Sequence, residues 1–343
     1  MAYSRGYHSY HGRTPRWRIV LMALLVVVIL VAVAVIALSR YIVYDEEGTL
    51  QMELPWQEEL VKEAPEPPLD LTIEEPVKPQ TLRGFCTPVP LTREGWSHSL
   101  DQAKETFDCN AAAVTLKDAT GNVYFNSTVA LPGTVRFQEG ETDAALAAVV
   151  AYSQSTEGHS IARLSCFHDP KAGNRDVENM GLKNTGGYIF YDGNNSQWLD
   201  PAKPAAREYL CGLAKEAAEL GFDEILLTDV SYPTVGKLNK IDYGEGEKSS
   251  YLADFLEEMR AALAPYGVML SIEVPQAVIS QGSDENAGLL LADIAPKVDR
   301  IYAPADAAEV PALAQAVSTA SQFAEFVPGL AEADTTVDKF LVS

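Results

Sequence analysis

Several apolar stretches of this chain end on groups that can hold or move a proton. Lys117-Asp118, His168-Asp169, Thr228-Asp229 and Glu273 each close such a run, and Asp306 follows another less clearly. Carboxylates that recur at neighbouring strand ends are what glycosidic-bond cleavage requires: one protonates the leaving oxygen while the other attacks or activates water. The same residues have a second explanation. Asp also caps helices and orders loops, and in so acidic a chain that accounts for any one of them taken alone. Aromatic side chains follow two of these runs, namely Tyr188, Phe190, Tyr191, Trp198 and Tyr232, where a sugar ring would stack. Arg163 stands inside the apolar run Ile161-Ala162-Arg163-Leu164. A charge there must point inward and find a carboxylate, either as a structural ion pair or as a contact to substrate.

These groups need a frame to bring them together. Strand-like runs at 82–89, 111–116, 160–167, 224–229, 268–274, 298–303 and 324–328 alternate with helical ones at 99–107, 142–156, 202–220, 249–264, 286–295 and 307–320. That is the pattern of a parallel sheet wrapped by helices. Gly221 and Gly267 each follow a helical stretch and lead into a strand, as a C-cap glycine does. No G-x-G-x-x-G follows the first strand, so a TIM-type (β/α)8 barrel is favoured over a dinucleotide-binding fold, with its chemistry at the C-terminal strand ends. Only residues 337–342 remain to supply an eighth strand, so the expectation includes a barrel left incomplete at its C-terminal end.

Ahead of the barrel, residues 19–38 form an unbroken apolar run without charge, long enough to cross a bilayer as one helix. Arg5, Arg13, Arg16 and Arg18 precede it and carboxylates follow it, which puts residues 1–18 in the cytoplasm as a basic arm and the rest outside. A cleaved signal peptide and a buried core helix are the alternatives. The run is long for a signal peptide and continues into Tyr41-Ile42-Val43-Tyr44, which reads as an interfacial aromatic belt. Residues 45–81 carry eleven carboxylates, two lysines and six prolines, the composition of an extended acidic stalk. The expected layout is therefore arm, membrane helix, stalk and a barrel over 82–343.

The balance of 26 Lys and Arg against 48 Asp and Glu gives a net charge of -22. This excludes nucleic acid as a partner and makes the chain as a whole a poor binder of anionic polymers. Cysteines at 86, 109, 166 and 211 are scattered, with no CxxC and no Cys/His cluster at ligand spacing, so free thiols and no metal site are expected. No cofactor signature is present, and two-carboxylate chemistry needs none.

Spaced segments of the chain, from about 83 to 304, resemble a bacterial glycoside hydrolase family with a (β/α)8 barrel that was first catalogued as a domain of unknown function. Asn110-Ala111 through Lys117-Asp118 resembles its second strand. Ala162-Arg163 through Phe167-His168-Asp169-Pro170 resembles its third, Trp198-Leu199-Asp200-Pro201 its W-x-D-P turn, and Gly221-Phe222-Asp223-Glu224-Ile225 the lead-in to its fourth strand. The departures fall on its acidic positions. Thr115 and Thr228 stand where the family has acids, Ser231 stands where it has arginine, and Glu273 keeps the carboxylate of strand five.

The resemblance implies a membrane-anchored hydrolase of a cell-wall or other extracellular glycan, with Asp229 as nucleophile or base and Glu273 as general acid, or the reverse. Lys117, Asp118, Arg163, Asp169, Trp198 and Tyr232 would then bind substrate. Asp229 serves only if the strand end twists, because successive strand residues face opposite ways. The replaced acids suggest the alternative, a degenerate barrel that binds glycan or acts as an envelope scaffold.

Overall fold

The computed structural model describes residues 16–38, 42–44, 50–52, 78–87, 89, 91–137, 139–155 and 158–342. The chain divides into two compact units, Met1–Leu71 and Thr72–Ser343. In the first, helix α1 (Arg16–Leu38) runs through the apolar stretch, and its described side chains, at 17, 20–22 and 24–33, are all exposed. Among the described residues no helix is long and apolar enough to cross a membrane. Two short strands, β1 (Ile42–Tyr44) and β2 (Leu50–Met52), pair antiparallel, the second of them inside the segment read as a stalk. The remainder of that segment up to residue 77, and residues 1–15 of the basic arm, lie outside the described residues.

The second unit alternates strand and helix in chain order. Its elements are β3 (Leu82–Cys86), α2 (Arg93–Thr106), β4 (Ala111–Lys117), α3 (Glu141–Ser155), β5 (His159–Ser165), α4 (Pro170–Arg175), α5 (Pro204–Glu219), β6 (Glu224–Thr228), α6 (Lys248–Leu263), β7 (Met269–Glu273), α7 (Gln276–Gln281), β8 (Ser283–Asp284), β9 (Leu289–Leu290), α8 (Leu291–Ile294), β10 (Arg300–Pro304), α9 (Val310–Ala320), β11 (Glu325–Leu330) and β12 (Lys339–Val342). Eight parallel strands close in the order β3-β4-β5-β6-β7-β10-β11-β12, with β12 returning to β3 through Lys339↔Leu82 and Leu341↔Gly84. The expected gap at the C-terminal end is thus absent: 339–342 is enough, because only four residues are needed to hydrogen-bond both neighbours. The helix expected over 286–295 is also corrected. Gly288, at φ +76°, turns a small β8–β9 hairpin instead, and only the single-turn α8 follows.

Alternation along the strands separates two apolar layers. Leu82, Ala111, Ala113, Ile161, Leu226, Tyr302, Val327 and Leu341 fill the barrel interior, while Phe85, Val114, Ala162, Leu164, Ile225, Leu227, Ile272 and Phe340 pack against the helices. Gly221 and Gly267, at φ +95° and +64°, end their helices in the left-handed region that leads into β6 and β7.

A charged network lies inside the barrel beneath the apolar layer. Arg300 is fully buried and its Nη1 donates to Glu224 Oε2 at 2.5 Å; His159 Nε2 lies 2.6 Å from the same oxygen and Tyr302 donates to Oε1 at 2.9 Å. Arg300 Nε also reaches Glu325 Oε2 at 3.2 Å, and Lys339 pairs with the other oxygen of Glu325. Burial opposes the Glu224 charge, yet Arg300 and then His159 hold its carboxyl at about 2. Removing one partner from such a pair strands the other, so Arg300→Met is expected to cost about 3–5 kcal/mol in urea unfolding, and an unchanged midpoint would show the network to be dispensable. The folded-state pKa of Glu224 lies below its ordinary 4.5, so its contribution is fully present above pH 4.5 and is lost as pH falls towards about 2. The thermal midpoint should decline over that window, and the decline should be shallower in Glu224→Gln.

Candidate functional site

The C-terminal mouth of the barrel gathers charged side chains from β5, β6 and β7. Arg163 faces inward from β5, and its Nη2 donates to Glu273 Oε2 at 2.7 Å. The two side chains remain 23% and 35% exposed, so the pair is open to a ligand. Burial works against the Arg163 charge, but Cys86 and the carboxylates of Glu273 and Asp229 raise its pKa. Burial pushes the Cys86 thiol up, with Arg163 pulling the other way.

Asp229 follows the last residue of β6, and strict alternation would send its side chain outward to the helices. Its backbone breaks that alternation at φ +52°, in the left-handed region that Asp tolerates better than most residues. The turn brings Oδ2 to the Ser165 hydroxyl, which donates at 2.6 Å, and to Thr228 Oγ1 at 3.3 Å. The Asp229 carbonyl oxygen accepts from Phe167 N at 3.1 Å, which fixes the turn against the end of β5. Arg163, Thr228, Asp229, Ser231, Glu273 and Pro304 line one cleft of about 390 Å³. Below it, Cys86, Arg163, Glu273 and Tyr302 border a hollow of about 70 Å³. Ser165 could have been found in the sequence, since it stands two residues beyond Arg163 and so shares its inward face.

Other residues singled out in the sequence sit beneath or beside this cleft. Lys117 is buried and lies 3.0 Å from Asp169 Oδ2, while its Nζ donates to Ser165 O at 2.7 Å. Asp169 Oδ1 meanwhile accepts from Lys171 N and Ala172 N and so caps α4. Neither side chain lines the cleft: both hold the β5 loop. Asp118 organises the turn after β4, accepting from Thr120, Asn122 and Tyr124. Although burial opposes it, these hydrogen bonds hold the Asp118 carboxyl at about 2. Gly121, at φ +77°, closes that turn, and a Cβ there would fall 2.2 Å from Asp169 Oδ1. The two acid-bearing turns therefore pack directly on each other.

The aromatic residues divide by exposure. Trp198 is buried, stacked on His168 at 4.4 Å with its Nε1 donating to Asp192 at 2.9 Å, and Tyr232 is buried against Tyr243. Both pack the loops and leave little ring surface exposed. Phe190 is likewise buried, whereas Tyr188 and Tyr191 are exposed. Asp306 lies on the stretch beyond β10, where its backbone N–H donates to Glu309. All four cysteines are free. Among the described residues no group of three or more His, Cys, Asp or Glu is arranged to hold a metal ion.

The chain matches the model of a family described as "Putative glycosyl hydrolase domain" over residues 91–304. No curated protein matches it. Among solved structures it is similar to a hypothetical protein from Ruminiclostridium thermocellum, at 31% identity over 52% of this chain and 90% of that one, with a TM-score of 0.44. It is also similar to the PgaB (BpsB) glycoside hydrolase domain from Bordetella bronchiseptica, at 14% identity over 74% of this chain and 84% of that one, TM-score 0.49. A third is the GH20 β-N-acetylhexosaminidase from Streptomyces coelicolor, at 12% identity over 74% of this chain, TM-score 0.45; there the match spans only 49% of the other protein's length. Because the family match runs over residues 91–304, well over half of the 343 residues, the chain belongs to this glycosyl hydrolase domain family.

Proposed function

We propose that this chain is a glycoside hydrolase held at the outer face of a membrane, acting on a cell-wall or other extracellular carbohydrate polymer. The observation that carries the reading is that Asp229 and Glu273 line one cleft at the C-terminal mouth of the barrel, where barrels of this kind place their chemistry. One carboxyl would protonate the glycosidic oxygen while the other attacks the anomeric carbon or activates water. Glu273, against the Arg163 guanidinium at 2.7 Å, is in the setting of the nucleophile or base. Asp229, whose side-chain partners both meet Oδ2, keeps Oδ1 for the leaving oxygen and is assigned the proton donor. Arg163 orients Glu273 through the hydrogen bond between them.

A second reading has an observation in its favour. Thr115, Thr228 and Ser231 stand at positions where the family carries charge, and Glu273 is already engaged by Arg163, as in a barrel that binds glycan without cleaving it. Release of reducing ends from a panel of cell-wall and capsular glycans by residues 72–343 separates the two. Under the hydrolase reading the parent is active, and Glu273→Gln and Asp229→Asn each lose roughly 10²–10⁴-fold at unchanged thermal midpoint. A folded parent that is silent across the panel would sink that reading and leave the binding one.

The anchor is proposed from the sequence: residues 19–38 are an unbroken uncharged apolar run, about 30 Å long as a helix at 1.5 Å per residue, against a hydrocarbon core of roughly 30 Å. The arginines ahead of it support an N-terminus inside and a barrel outside. The full chain should stay with membranes through carbonate and high salt, and a chain starting at residue 45 should not. Extraction of the full chain by salt alone would rule the anchor out.

A further inference from the structure

We propose that a second cleft, between the loops that follow β5 and β6, is a subsite for an anionic carbohydrate, a sugar bearing carboxylate or phosphate. This rests on the glycan-acting reading above and names the class of glycan. Residues from 184–193 and 236–240 line a space of about 560 Å³, within the size range of small-molecule sites. Its base is fixed by backbone. Gly193 N donates to Val235 O at 3.1 Å, and Gly236, at φ +106°, runs so close that a Cβ there would fall 2.7 Å from Gly193 N.

The chemistry of the lining is that of a charged-sugar site. Tyr191 lines it at 47% exposure, and Tyr188 and Val235 beside it are 76% and 46% exposed. The exposed Tyr191 ring gives the cleft an apolar wall, and a ring face is what a pyranose covers. The charged side chains of the lining are Asp192, Lys237 and Lys240. Asp192 is buried and occupied: Oδ1 accepts from Asn194 N and Ser196 N, and Oδ2 from Trp198 Nε1. Lys237 and Lys240 are exposed, and among the described residues neither forms a salt bridge. The cleft therefore offers two ammonium groups beside an exposed phenol ring, with its one carboxylate withdrawn into the loop. The net charge of -22 is a property of the whole chain, and at physiological salt charges beyond about 8 Å are largely screened from this spot.

The position suits a polymer that continues into the mouth. One loop serves both clefts, since Thr228, Asp229 and Ser231 line the first and Gly236, Lys237 and Lys240 the second. Ser231 and Gly236 are five residues apart in sequence, at most about 18 Å of extended chain. A few sugar units held over the lysines thus reach the two carboxylates.

The test uses the full chain carrying Glu273→Gln, so that binding is read without turnover, in calorimetric titrations with three probes. These are a galacturonic acid hexamer, a glycerol phosphate oligomer and a neutral galactose hexamer. At least one anionic probe should bind about tenfold or more tighter than the neutral one, the scale of a charge-assisted hydrogen bond, and whichever gains assigns carboxylate or phosphate. Lys237→Ala with Lys240→Ala should abolish that preference at unchanged thermal midpoint, and Tyr191→Ala should weaken every probe that binds. Equal affinity for all three probes, no binding of either anionic probe, or a preference that survives loss of both lysines would overturn the subsite. A parent chain that binds the anionic probe through these lysines but cleaves nothing would overturn the hydrolase reading and leave the subsite standing.

Discussion

A guanidinium on the axis of a closed barrel has no water to fall back on, and the Arg300–Glu224 pair is where this structure meets that constraint. His159, Glu224, Arg300, Tyr302 and Glu325 come from β5, β6, β10 and β11, so one cluster of hydrogen bonds ties together half of the strands. Strand side chains repeat every two residues, so fixing Glu224 inward also fixes Leu226 and Thr228 inward, and fixing His159 does the same for Ile161, Arg163 and Ser165. A slip of one residue in any of these strands would put its charges among the helices and its leucines on the axis. The parity set at the base of the barrel is thus the parity read out at its mouth, where Arg163 meets Glu273.

The elements were largely legible in the sequence, and the differences have definite causes. Strands over 111–117, 159–165 and 269–273 fall within two residues of their apolar runs, because strands covered on both faces read as continuous hydrophobic stretches. The region 286–295 reads as a helix because Ala287, Leu290, Leu291 and Ile294 follow helical spacing, while Gly288 imposes a turn. Arg163 was visible as a lone charge in an apolar run. Glu224 and Arg300 were hidden, since each opens its strand, where a charge reads as the last residue of a surface turn. The aromatic residues show what composition alone leaves undecided: Trp198 and Tyr191 belong to the same loop, yet stacking on His168 buries the first and the second stays open.

The acids around the mouth are sorted by their partners. Asp118, Asp169 and Asp192 are saturated by backbone N–H groups, hydroxyls, Lys117 or the Trp198 indole, and each stabilises a loop. Glu273 and Asp229 have partners too, but theirs stand in a cleft wide enough for a ligand. Sequence position does not distinguish the two kinds, because Asp118, Asp169, Asp229 and Glu273 all end or follow apolar strands. What separates them is whether a turn folds back over the carboxylate, as the Gly121 turn does over Asp169.

The left-handed residue at the end of β6 bears on how relatives of this chain should be compared. With Asp229 at φ +52°, a carboxylate one place along from Thr228 reaches the inward hydroxyl of Ser165. A tally that credits the mouth only with residues of inward strand parity would overlook a carboxylate that its cleft contains. Inventories of catalytic residues across divergent barrels are better taken in space than in register, with backbone handedness at the strand ends counted as part of the motif.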